Sequence, residues 1–130
     1  MRKVAVAVLL AAGLAASPAF ATVEIVCTGQ GVSIDLLVGH VDLLYIDRAI
    51  IEAGGKTWTS QPNQVPGTEI RVGHVFEDER QMLVDFTTDG ADNIASLRVF
   101  KLSEGDVSRA GGVFQIDGVG VWVVDCSEPE

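Results

Sequence analysis

Two cysteines, two histidines, a run of three acids and a pair of tryptophans are the residues in this chain whose types could carry chemistry. Cys27 and Cys126 stand near opposite ends, with no Cys-x-x-Cys spacing and no histidine beside either. A redox or metal-binding thiol pair needs such local partners, so the expectation is one disulfide, the only intramolecular pairing two cysteines allow. His40 and His74 have no third ligand at a helpful spacing. Surface or strand-edge positions are the default for them, rather than a metal site or a general base. Ser33, Ser60, Ser96, Ser103, Ser108 and Ser127 all lie outside any Gly-x-Ser-x-Gly elbow. Adjacent acids such as Glu77, Asp78 and Glu79 read as a solvated turn, because a glycosidase brackets its substrate with carboxylates from separate elements. The stretch TDGADN at 88–93 lacks the Asp-x-Asp-x-Asp-Gly spacing and distal Glu of a calcium loop, and its Asp-Gly and Asp-Asn pairs suit a turn without any ion. Gly111-Gly112 precedes a strand rather than a helix, so it is no phosphate cradle. No metal, cofactor or catalytic constellation is expected.

What remains is recognition. Residues 60–68, SQPNQVPGT, hold two prolines and a glycine and no apolar period, which makes them the clearest loop. A partner is expected to touch this loop through Gln61, Asn63 and Gln64, together with Trp58 and the acidic turn Glu77, Asp78 and Glu79. Tryptophan is frequent at binding hot spots, and Trp58, beside the loop, is the better exposed anchor of the two. Core burial is nevertheless favoured for it, as for Trp122.

The chain opens with basic Arg2 and Lys3, an apolar stretch over 4–16 and Ala19-Phe20-Ala21, the pattern of a secretory signal peptide cleaved after residue 21. A periplasmic or secreted single domain of residues 22–130 is therefore expected, with no membrane insertion after cleavage. Losing Arg2 and Lys3 leaves seven basic against 18 acidic residues, a net charge of −11. Such a surface repels nucleic acid and anionic lipid and speeds encounter with a cationic partner, although solubility alone is reason enough for it.

The elements that must position these residues read as strands. Val32, Ile34, Leu36 and Val38 alternate with Ser33 and Asp35, and Met82, Val84 and Phe86 alternate with Gln81, Leu83 and Asp85. Ile70, Val72 and Phe76 alternate with Glu69, Arg71 and Val75, with Gly73-His74 as a bulge. A helix over 36–51 competes, since apolar residues there recur at spacings of three and four. Gly39 inside it and the hairpin return after Gly54-Gly55 favour strands. The inward face of the strand at 94–102 stays open between Leu97 with Val99 and Phe100 with Leu102. Residues 103–112 read as a polar, glycine-rich loop. At the close, Asp117-Gly118 suits a two-residue turn that sets Ile116 opposite Val119, Phe114 opposite Val121 and Gly112 opposite Val123. A turn centred on residues 118–120 would shift that register and swap the faces. A strand apolar on both faces is expected to be covered on both. The four-residue match of 38–41 with 72–75 is no duplication.

About eight strands without a helical crossover predict an all-β domain, a small antiparallel barrel or two-sheet sandwich, with one disulfide joining first and last strands. The expected function is a non-enzymatic protein-binding or inhibitory module of the cell envelope, whose partner is a cationic envelope protein such as a lysozyme. The proportions resemble those of small periplasmic lysozyme inhibitors, but their Ser-Gly-x-x-Tyr loop is absent, and the one tyrosine, Tyr45, lies in an apolar run. The alternatives are a small ligand-carrying barrel, for which a chain this short leaves little room beside a packed core, and an exported hydrolase with dispersed residues.

Overall fold

The computed structural model describes residues 22–127. The leader expected at 1–21 lies outside them. Ten strands follow in chain order: β1 (Thr22–Gly29), β2 (Val32–His40), β3 (Leu44–Ala53), β4 (Lys56–Thr59), β5 (Thr68–Glu69), β6 (Arg71–Glu77), β7 (Gln81–Thr87), β8 (Asn93–Glu104), β9 (Val107–Ile116) and β10 (Gly120–Ser127). They form one sheet in the order β5-β4-β3-β2-β1-β10-β9-β8-β7-β6, antiparallel except where β5 pairs with β4. The sheet curls until β3 lies near β6, giving a nearly closed, barrel-like form. Two meanders thus meet where the first strand pairs with the last. Cys27 and Cys126 are directly opposite one another in that pairing and are joined by the disulfide.

The pleat explains why these residues form strands. On β2, Val32, Ile34, Leu36 and Val38 are buried while Ser33, Asp35 and Leu37 are half-exposed. The apparent helix over 36–51 has a local origin. In the β2–β3 ladder Leu37 pairs with Arg48 and Val38 with Ile46, so Asp47 is an extra residue. The inward residues Ile46 and Ala49 are therefore three apart, a helical spacing produced by a bulge. Gly54 and Gly55, at φ 58° and 79°, close the β3–β4 return, as their sequence suggests.

A second bulge falls at Gly73-His74, where expected: Val72 pairs with Phe86 and Val75 with Val84. Its consequence differs from the simple alternation. Val75 packs against the core and Phe76 points outward, exposed. Glu77 thereby moves to the inward parity.

On β8, Ala95, Leu97 and Val99 are buried and Phe100 and Leu102 are exposed, which settles the inward face. Residues 103–112 are not a loop. The β8–β9 ladder runs unbroken to Glu104 opposite Val107, and only Gly105-Asp106 turns the chain. Gly105 takes φ 59° with Asp106 at negative φ, the type II′ combination, which lets polar strands continue into a tight hairpin.

The closing hairpin departs from the two-residue turn. Ile116 pairs with Gly120, Phe114 with Trp122 and Gly112 with Val124, leaving a three-residue connection. Gly118 has φ 75° while Asp117 keeps a negative φ, and the Val119 N–H donates to the Ile116 carbonyl at 3.0 Å. This one-residue shift turns β10 over. Val124 is buried and Trp122 and Cys126 are half-buried against the core, whereas Val121 and Val123 are exposed, at 63% and 77%. Cys27 lies on the buried parity of β1, so Cys126 can meet it only in this register. The outer face of β10 is accordingly not covered.

Inside, Phe114 meets Phe86 edge-to-face at 6.4 Å and stacks on Trp122 at 6.0 Å. Gly112 lets β9 and β8 approach there, since a Cβ on it would run into the Arg98 carbonyl. Trp58, only 7% exposed, packs in the core opposite Ile51.

Candidate functional site

The two ends of the barrel differ. At one end β2, β6, β8 and β10 finish and β1, β3, β7 and β9 begin. Between β1, β10, β9, β8 and the β6–β7 turn this end opens into a hollow of about 900 Å³. Its lining is mixed: Ile25, Met82 and Val99, all largely buried, with Ala110 and Cys126, and beside them Ser103, Ser108 and Ser127. Glu77 and Lys101 stand in its wall, and Glu79, Arg109 and Asp125 stand at its lip.

Three side chains continue the inward parity of their strands past the last apolar residue and meet there. Lys101 follows Leu97 and Val99, His40 follows Val38, and Glu77 is turned in by the β6 bulge. His40 Nε2 lies 2.8 Å from Glu77 Oε1, the Lys101 ammonium donates to the other Glu77 oxygen, and it also donates to the Asp78 carbonyl at 3.1 Å. Partial burial pushes the Glu77 carboxyl up, but the hydrogen bonds from Lys101 and His40 outweigh it and hold the group below its ordinary value. The cluster ties β2, β6 and β8 together where the sheet is not closed by a ladder.

The predicted contact residues separate on this frame. The Asp78 carboxylate accepts the Arg80 and Gln81 N–H groups at 2.8 and 2.9 Å, so it shapes the turn. Glu79 is exposed at the lip. The loop at 60–67 is anchored elsewhere: the Ser60 N–H donates to the Ala49 carbonyl, the Ala49 N–H donates to Ser60 Oγ, both at 2.9 Å, and Gly67 backs onto Thr57. Asn63 and Gln64 are exposed and Gln61 is half-buried, its N–H donating to Thr59 Oγ1 at 3.0 Å. None of these loop residues lines the hollow, so the structure joins Glu77 and Glu79 to Lys101, Arg109 and Asp125 rather than to the loop.

His74 sits exposed at the bulge, 4.0 Å from an Asp85 oxygen whose carboxylate is paired with Arg98 at 3.0 Å. The two histidines thus face different carboxylates. Among the described residues no group of three His, Cys, Asp or Glu is placed to hold a metal ion. In the 88–93 turn the Asp89 carboxylate accepts the Ala91 and Asp92 N–H groups at 2.8 and 3.0 Å and the Thr87 hydroxyl at 3.0 Å. These bonds, the one from Asp92 first, lower its pKa to about 2.

Sequence reasoning missed Lys101, Arg109 and Asp125. Lys101 left a readable signal, a cation on the parity of Leu97 and Val99. It also missed an outer cluster in which Arg48 lies 3.6 Å from Glu24 and 3.5 Å from Asp35. There, a hydrogen bond with Asp35 holds the Glu24 carboxyl above its ordinary value.

Fold and site together define a disulfide-linked, all-β, barrel-like protein with a hollow at one end. Compared with known proteins, the chain matches no family model, no curated protein and no solved structure.

Proposed function

We propose that this protein is an exported, non-enzymatic binding module of the cell envelope that engages a cationic protein at the open end of its barrel. The observation that carries this reading is the hollow itself, with exposed Glu79 and Asp125 among the residues that line it. An excess of acid over base, 18 residues against nine, adds a long-range field that attracts such a partner. The disulfide suits an oxidising compartment, periplasmic or extracellular, and among the described residues no helix is long and apolar enough to cross a membrane. The test is a pull-down from envelope extract with the disulfide-intact mature chain, at low and moderate salt. Capture of a basic protein that weakens as salt rises supports the reading. Capture of no basic protein, or capture indifferent to salt, overturns it.

A second reading, a small-ligand carrier, draws on the same hollow, because its volume falls in the range of about 300–1,000 Å³ usual for small-molecule sites. Native mass spectrometry of freshly purified protein tests it: a co-purified ligand supports a carrier, and a bare mass counts against it.

A further inference from the structure

We infer that the outer face of β6–β10 is the surface through which two copies of this chain pair as a symmetric dimer. The β9–β10 register that buries Val124 sends Val121 and Val123 outward, and the ladders of the second meander set further apolar side chains beside them. Val123 lies opposite Val113, Val113 opposite Arg98, Arg98 opposite Leu83 and Leu83 opposite Phe76. These five are directly paired neighbours on one face, a rank across five strands that runs about 19 Å at ordinary strand spacing. Val121 and Phe100 flank Val113 on the diagonals, and Gly111, opposite Phe100, puts no side chain between Phe100 and β10. Val113, Val121, Val123, Phe76 and Phe100 are exposed and Leu83 is half-exposed.

An antiparallel strand with one buried face ordinarily turns polar residues to water. The outer face of β1–β3 does so in part, with Glu52 and the cluster of Arg48, Glu24 and Asp35. Across β6–β10 the one charge inside the rank is Arg98. Its guanidinium lies 3.0 Å from an Asp85 oxygen and donates to the Leu97 carbonyl, so covering the rank strands no unpaired charge, and its methylene stem adds to the apolar surface. Asp125 and Arg109, of opposite sign, stand at the margin. Arg98 and Arg109 thus balance Asp85 and Asp125 there, although the whole chain has 18 acids against nine bases. A cationic partner gains little from such a face, whereas a second copy meets an equally apolar one without like charges opposed across its centre.

The area fits the same occupant. At their fractional exposures the five exposed apolar side chains offer on the order of 500 Å². A standard interface takes about 800 Å² from each partner, about 65% of it apolar when the partners are identical, which is a matching amount. The acid excess elsewhere on both copies opposes the pairing. The dimer is therefore weak, with a Kd on the order of 10 μM, and it tightens as salt screens that repulsion. Unfolding followed at about 0.1 μM reads the single chain.

The experiment is sedimentation velocity of the disulfide-intact mature chain from about 0.1 to 200 μM, at low and moderate salt. The expected result is a shift from monomer to dimer with concentration, at lower concentration in the higher salt. Val123→Lys and Phe100→Lys should each weaken the dimer by about tenfold or more, and Asn63→Lys, the same added charge on the remote 60–67 loop, should stay within about twofold. An unaltered thermal transition at about 0.1 μM shows that the lysine variants fold, and Val121→Ser, a smaller change on the same face, replaces either one that does not. A monomer throughout, a dimer that weakens as salt rises, or a dimer indifferent to these variants overturns the inference. Capture of a basic protein by the hollow weakens with salt while this dimer strengthens, so either reading can fail alone.

Discussion

Asp89 and Asp78 are exposed-turn acids whose carboxylates each hold backbone. Asp89 takes two N–H groups and a hydroxyl, and Asp78 takes two N–H groups. The depressed Asp89 pKa has a definite consequence for stability. Its ordinary value is 3.8 and its folded value about 2, so its contribution is complete above about 3.8 and is lost as pH falls through about 2. Asp89→Ala is expected to unfold at lower temperature than the parent at neutral pH, with the gap closing across that window. Asp89→Asn, which keeps an acceptor oxygen, should lose less. Thermal unfolding followed against pH checks this, and a gap that persists at the acid end would contradict it. The turn at 88–93 was legible because Asp-Gly and Asp-Asn favour turns by local bonding alone. Glu77 was not, because its inward direction depends on a bulge and its partners lie on two other strands.

Bulges and turn type decide faces at the scale of the element. The extra residue in β3 disguised a strand as a helix, and the one in β6 exchanged Val75 for Phe76. The closing hairpin shows how one residue matters. A type I′ turn at Asp117-Gly118 would bury Val121 and Val123, whereas the three-residue connection buries Val124 and turns Trp122 inward. The prediction is a pair. Val124→Ala should cost about 2 kcal/mol, two methyl groups' burial plus a small cavity, while Val123→Ala should stay within about 0.5 kcal/mol. Urea denaturation of both variants checks it, and the opposite order would restore the two-residue turn. Propensity favoured both turns, and what separates them is the parity of Cys126, which the partner strand β1 dictates.

For the whole molecule, closure is the central event. Among the described residues β1 and β10 pair through three residue pairs, Val26 with Ser127, Cys27 with Cys126 and Thr28 with Asp125. The disulfide sits in its middle and links residues 99 apart. Cys27→Ala/Cys126→Ala is therefore expected to lose up to ~4.7 kcal/mol, the chain-entropy limit for a loop of that length. The measurement is chemical denaturation of parent and variant, with far-ultraviolet circular dichroism to confirm the β spectrum. A negligible loss would mean that the short ladder and the His40–Glu77–Lys101 cluster hold the ends without it.

The chain by itself determined the strand class, the principal turns and the single cysteine pairing, because pleat alternation, glycine at positive φ and a count of two cysteines are local or combinatorial facts. Only the tertiary structure decided which apolar residues point inward on β6 and β10, that Trp58 lies in the core, and that a hollow forms at one end. Those depend on register, and register is set by pairings across the sheet, where a one-residue slip within any strand reverses every side chain beyond it.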